Sequence, residues 1–232
     1  MKVPRLILAA GLIAALAGCD QSGTLQARLD QASRIGDPYE AAQYLDMTYE
    51  GKYRNACAIL IGCSDQELEL NREIESTKQS LMIKAVERAD IRAISKIFDE
   101  YSPPKVRAQA APIVMALAQH PDADKDILRI AGTLAFEGKL AQADYVKALD
   151  YFARSWRLGS NQAADGAKTL FAKIEDNDNA YLWSLRCMND CAWDNSKIIK
   201  TPNAQRVIEI QRLALDKSIL VIGESPFKSI KG

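Results

Sequence analysis

Residues 144–163 read Asp144-Tyr145-Val146-Lys147-Ala148-Leu149-Asp150-Tyr151-Phe152-Ala153-Arg154-Ser155-Trp156-Arg157-Leu158-Gly159-Ser160-Asn161-Gln162-Ala163. Ala148, Tyr151, Phe152 and Ser155 recur at spacings of three and four, which puts them on one face of a helix. Asp144 precedes the run as a capping residue, and Gly159 can take the left-handed conformation that stops a helix. Ala148 is small enough for a partner helix to come close, and Tyr151 and Phe152 fill the gap between helices. Upstream, Ile127, Ile130, Ala131, Leu134 and Ala135 make a second apolar face between the cap Asp124 and the stop Gly138. Downstream, Ser160 opens a third helix running to about Glu175.

The same punctuation continues outward. Asp37-Pro38-Tyr39-Glu40 has the form of a capping box with proline at the first helical position. Gly51 would close that helix and Gly62 the next. Ser64-Asp65-Gln66-Glu67 opens a long segment to about Ala89, and Asp90 a short one to Tyr101. Ser102-Pro103-Pro104 opens another to Gln119, and Thr201-Pro202 starts the last. No stretch longer than a few residues alternates with the strand period of two. Ile219-Leu220-Val221-Ile222 is strand-like, and is expected to dock on the last helix as part of a tail, residues 217–232. The fold class is therefore all-α. Short helices joined by short turns predict antiparallel helix pairs stacked as a solenoid; a simple helical bundle is the alternative. The helical domain spans residues 24–216, with its clearest repeat at 124–173.

That clearest stretch resembles the Sel1-like repeat, a relative of the tetratricopeptide repeat. The second helix of such a repeat begins with Asp, continues Lys-Ala-Leu and an aromatic pair, and ends at a glycine with an alanine four residues on. Asp144, Lys147-Ala148-Leu149, Tyr151-Phe152, Gly159 and Ala163 match it, as do Gly132 and Gly138 in the first helix. The resemblance implies a right-handed solenoid that acts as an adaptor between proteins. The chain departs from the pattern at Ala135, where an aromatic is usual, and at Ser155 and Trp156, where two alanines are usual. A tryptophan there implies local repacking or a place where a partner fits.

The N-terminus carries an address. Lys2 and Arg5 precede an apolar run of 11 residues from Leu6 to Leu16, which ends in Leu16-Ala17-Gly18-Cys19. A basic start, short apolar core and small-residue stop make a secretory signal peptide over residues 1–18. The run is short of the ~20 residues that cross a bilayer. The ending resembles the lipobox of bacterial lipoproteins, which implies cleavage before Cys19, a diacylglyceryl group on its sulfur and an acyl chain such as palmitate on the freed amine. A plain signal peptide with an incidental cysteine is the alternative. Residues 19–23 form a short tether. Asp20 in the next position implies, by enterobacterial-type sorting, retention at the inner membrane, facing the periplasm, rather than transfer to the outer membrane.

Without Lys2 and Arg5 the chain carries 28 basic against 30 acidic side chains. That balance provides no field for nucleic acid or an anionic bilayer, so the partners expected are the membrane, through the lipid, and other envelope proteins. Beyond Cys19 four cysteines remain: Cys57, Cys63, Cys187 and Cys191. An even number in an oxidising envelope reads as disulfides, with the local pairs Cys57–Cys63 and Cys187–Cys191 favoured. Cys187 and Cys191 on one helix would need a distorted turn to bridge, and a long-range bridge stays open. A zinc site built from all four cysteines is the competing reading, although only one of the two spacings suits it.

No Gly-x-Ser-x-Gly, His-Glu-x-x-His or glycine-rich phosphate loop is present. The one histidine, His120, precedes Pro121 at a helix end, where it would meet the negative end of the dipole. Asp122 with Asp124, and Asp176 with Asp178, read as caps and solvated turns. No enzyme activity and no cofactor are expected. Aromatic residues cluster between 145 and 193; Tyr145, Trp156, Tyr181 and Trp183 are the candidates for partner contact if they face a groove, and core packing otherwise. The expectation is a lipid-anchored adaptor or scaffold for a secretion, conjugation or envelope-assembly system. An exclusion or immunity lipoprotein would share this architecture, and a cell-wall enzyme would need a deep acidic pocket.

Overall fold

The computed structural model describes residues 22–49, 65–100, 102–187, 203–224 and 227. Cys19, Asp20, Gly51, Cys57, Gly62, Cys63, Cys191 and Trp193 lie outside them, and so do the signal peptide and the lipobox. The described residues are all-helical, with no strand. The helices are α1 Ser22–Ser33, α2 Pro38–Tyr49, α3 Asp65–Glu87, α4 Ile91–Asp99, α5 Pro104–Leu117, α6 Lys125–Glu137, α7 Tyr145–Arg157, α8 Asn161–Lys173, α9 Asn177–Arg186 and α10 Ala204–Ala214. None is long and apolar enough to cross a membrane. The chain divides into two compact units, residues 1–93 and 94–232, with the boundary inside α4.

In the first unit α1, α2 and α3 pack on one another. Leu25, Leu29 and Ala32 from α1, Leu45 from α2, and Leu70 and Ile74 from α3 form its core. Helix α1 begins at Ser22, inside the tether expected at 19–23. Asp37 caps α2 by accepting from the amides of Tyr39 and Glu40 at 2.8 and 3.1 Å.

In the second unit α7 packs on both α6 and α8, and α8 continues onto α9. The ends of α6 and α7 lie where the caps and stops put them. Asp124 accepts from the Asp126 amide and Gly138 closes α6 at φ 70°. Asp144 accepts from the Lys147 amide, and Gly159, at φ 93°, stops α7. The ring of Phe152 packs against two glycines. A Cβ on Gly132 in α6 would lie 2.6 Å from its Cδ1, and one on Gly166 in α8 would lie 2.5 Å from its Cε1. The aromatic therefore fixes the separation of three helices. Ser155, at the alanine position of the repeat pattern, is fully buried and donates to the Lys125 carbonyl at 2.7 Å, pinning α7 to the start of α6.

Two helices are followed by left-handed residues that are not glycine. Helix α3 ends at Glu87, close to the end expected at about Ala89; Ala89 is left-handed at φ 57°, and the Asp90 amide reaches back to the Ala85 carbonyl at 3.0 Å. Glu175 does the same after α8, at φ 60°. Helix α5 has no side-chain cap: its N-cap is Pro103. Thr201 and Pro202 lie outside the described residues; Asn203 caps α10 by accepting from the Arg206 amide at 3.0 Å. The end of α5 is met by a cation from another helix. Arg154 takes the carbonyls of Ala118 and His120 at 3.0 and 2.6 Å, because a guanidinium forks across two acceptors at once. The acidic pairs act as caps and ion-pair partners: Asp176 accepts from the Asn179 amide, and Asp178 meets Arg206 Nε at 2.7 Å.

Candidate functional site

Helix α9 went unread in the sequence, and it organises the surroundings of the aromatic residues. Its cap, Asp176, lies in the polar run Asp176-Asn177-Asp178-Asn179. Asn179, buried on its first turn, reads the C-terminal tail as a second strand would. Its Nδ2 donates to the Ile222 carbonyl at 2.9 Å, and its Oδ1 accepts from the Ile222 amide at 2.8 Å. One turn on, Trp183 Nε1 donates to the Leu220 carbonyl at 3.0 Å. The strand-like run of residues 219–222 therefore straps onto α9 as well as meeting α10. Leu220 enters the larger core, while Ile222 joins Leu182 and Ile210 in a smaller one.

The four candidate aromatics separate into two groups. Trp183 is 0% exposed and belongs to the core, so it offers a partner no surface. Its burial is tolerable because the tail supplies an acceptor for the indole N–H. Trp156 is 8% exposed and meets Trp183 edge to face, with ring centroids 5.2 Å apart. Tyr145 lies elsewhere in the same unit, half-buried against Phe136 at 5.9 Å, with Lys173 Nζ 5.5 Å from its ring. Tyr181 is half-buried beside α10, its hydroxyl 3.5 Å from Gln211 Nε2.

Trp156 lines a cavity. A cleft of about 440 Å³ opens between the end of α7, the end of α9 and the turn after α10. Trp156, Gly159, Leu185, Arg186, Leu215 and Lys217 line it. Arg186 is the residue the aromatic pattern missed. It is 5% exposed, and its guanidinium carbon lies 4.7 Å from the Trp156 ring and 5.0 Å from the Trp183 ring. Its Nη2 donates to the Asp216 and Ile219 carbonyls at 2.8 and 2.5 Å, and its Nε to the Ala214 carbonyl at 3.4 Å. Its Nη1 is buried without a hydrogen-bond partner among the described residues. No carboxylate pairs with it there. The charge is held by carbonyl dipoles and two indole faces, and burial pulls its pKa down to about 10. Lys217 adds a second cation, its Nζ 5.7 Å from the Trp156 ring. Asp216 attracts Arg186 through space, while its carboxylate accepts from Ser218 N and Oγ at 2.8 and 2.7 Å. Leu215, at the rim, is 85% exposed.

Cys187 caps α9 with φ −88° and ψ 73°, outside helical geometry, so the distorted turn that a bridge to Cys191 would need begins there. It is 4% exposed, and its sulfur lies 3.6 Å from the Asn161 carbonyl oxygen. No group of three or more His, Cys, Asp or Glu side chains able to hold a metal ion occurs among the described residues.

The chain matches no family model, no curated protein and no solved structure.

Proposed function

We propose that the chain is a lipid-anchored envelope adaptor that holds a partner protein in the cleft beside Trp156. The observation that carries the reading is a concave, part-apolar surface in which a tryptophan edge, an exposed leucine and Lys217 converge around a buried arginine that no carboxylate bonds directly among the described residues. Interfaces concentrate their energy in such aromatic and arginine anchors. Helix pairs α6/α7 and α8/α9 would be successive units of a Sel1-like right-handed solenoid; the packing of α7 on both neighbours and the two glycines against Phe152 support that reading. Cys19 would carry the lipid, and Asp20 would hold the protein at the inner membrane, facing the periplasm. In an oxidising compartment Cys187 would be disulfide-bonded, with Cys191 its favoured mate and Cys57–Cys63 the second pair. The machinery served would be one of secretion, conjugation or envelope assembly.

The test is site-specific photo-crosslinking in native membranes, with the photoreactive residue placed at Leu215 and, as a control, at Met47 in the first unit. A discrete adduct from position 215, absent from position 47, is expected. No adduct at 215 under conditions where the protein is anchored and folded rejects the adaptor reading.

A further inference from the structure

The cleft also indicates the chemistry of what fills it. A buried guanidinium is normally matched by a carboxylate, because an uncompensated charge inside a protein is costly. Arg186 has carbonyls on Nε and Nη2 and aromatic faces on either side, yet Nη1 has no acceptor among the described residues. The adjacent cations do not relieve this. Asp216 attracts Arg186 without a direct ion pair, Arg157 repels it, and Lys217 stands over the same indole. Arg157 and Lys217 are exposed. With three cations against one acid the charge around the cleft is mainly positive, although the chain as a whole is balanced. Leu185 and Leu215 give the same cleft apolar walls.

Resting on the adaptor reading, we propose that the cleft binds a peptide segment bearing a carboxylate next to an apolar side chain. The apolar side chain lies against Leu185, Leu215 and the Trp156 edge. The carboxylate faces Lys217 and draws on the field of Arg186 and Arg157. Concavity separates this occupant from a flat bilayer surface, which would use Leu215 and Lys217 but leave the cleft floor untouched. The carboxylate can belong to a chain terminus or to an Asp or Glu side chain; both present the same oxygens.

The probes are three libraries of fluorescent hexapeptides, varied over Leu, Ile, Phe, Ser and Gly, and screened against the full chain in detergent. One library ends in a free carboxylate, one in an amide, and one in an amide but with a single internal Asp or Glu. Binding is expected from the first or third library and not from the second, and the better of the two names the source of the carboxylate. In the best binder, Lys217→Glu should weaken affinity by about tenfold or more, the scale of one charge-assisted contact, while Lys139→Glu on a distant exposed loop leaves it unchanged. Circular dichroism checks that both variants keep the helical fold. Equal binding of acids and amides, or insensitivity to Lys217→Glu, overturns the proposal. So does binding to phosphatidylglycerol vesicles that depends on Leu215 and Lys217 with no peptide selected, or peptide binding that appears only after residues 228–232 are removed. A crosslinked partner at position 215 together with any of these results leaves the adaptor reading standing and removes this one.

Discussion

Asn179 shows how much one polar side chain can hold. It satisfies both backbone groups of Ile222, and its own Nδ2 also meets Asp176 Oδ2 at 2.9 Å. Replacing it with the similarly sized Leu would leave a buried N–H and C=O without partners. Asn179→Leu should lower the stability of the second unit by about 2–3 kcal/mol, read by urea unfolding monitored through tryptophan fluorescence; a change below about 0.5 kcal/mol would show that the strap is not held this way. Ala89 makes the opposite case. An alanine at φ 57° carries left-handed strain that glycine does not. Ala89→Gly should stabilise the chain by about 0.5–1 kcal/mol, the strain relieved less the added freedom of the unfolded backbone. Thermal unfolding of the pair of proteins decides the sign.

Among the helices, the approach of α6, α7 and α8 depends on side chains that are missing. Gly132 and Gly166 both lie against the Cδ1–Cε1 edge of one phenylalanine ring, so a side chain on either would press on it. Gly132→Ala should cost about 1–2 kcal/mol, overpacking outweighing alanine's better helix propensity. In the double variant Gly132→Ala/Phe152→Leu the loss should be clearly less than the sum of the two single losses, because the smaller side chain gives back the space. Strict additivity in a double-mutant cycle would mean the three helices are not gauged by this contact. In the first unit, Arg92 gathers Asp37, Glu40 and Asp90 between the start of α2 and the start of α4, at 2.8, 2.5 and 2.7 Å. The Glu40 amide, then Arg92 and the Tyr39 amide, hold the Asp37 carboxyl below its ordinary 3.8, and Arg92 does the same for Asp90. A carboxyl whose native pKa is depressed stabilises the fold above the unfolded value and loses that contribution as pH falls through the native one. The first unit should therefore weaken as pH drops below about 4. Arg92→Met should flatten that acid limb of a stability–pH curve, and an unchanged limb would assign the acid sensitivity to other groups.

For the molecule as a whole, the expected anchor and the expected cleft lie far apart in sequence and can be tested apart. Cys19→Ser should move the protein from the membrane fraction to the soluble periplasmic fraction and abolish acyl labelling, since no helix among the described residues can cross a bilayer. On a density gradient the unaltered protein should band with the inner membrane. Retention of the unlabelled variant after a salt wash would refute lipid anchoring, and outer-membrane banding would refute the sorting role of Asp20. Neither result would bear on peptide binding in detergent.

The sequence alone determined the all-α character and most helix ends, because those depend on contacts within one turn. Asp37, Asp124, Asp144 and Ser160 each bond to an amide two or three residues ahead, and Gly138 and Gly159 need only their own backbone freedom. The apolar faces of α6 and α7 were legible for the same reason: a period of 3.6 is written locally. Where such signals were weak, the reading stopped short. Helix α9 hid behind a run of Asp and Asn, and Ala89 and Glu175 took left-handed turns that their residue types do not advertise. Only the tertiary structure decided which aromatic is reachable. Trp183 and Trp156 look alike in the sequence, yet the tail covers one and leaves the other at a cleft. It likewise decided that Arg186, one basic residue among many, is buried between two indoles and three carbonyls. Those outcomes rest on residues about 30 to 40 positions apart, whose meeting depends on how finished helices pack rather than on what any stretch of chain prefers.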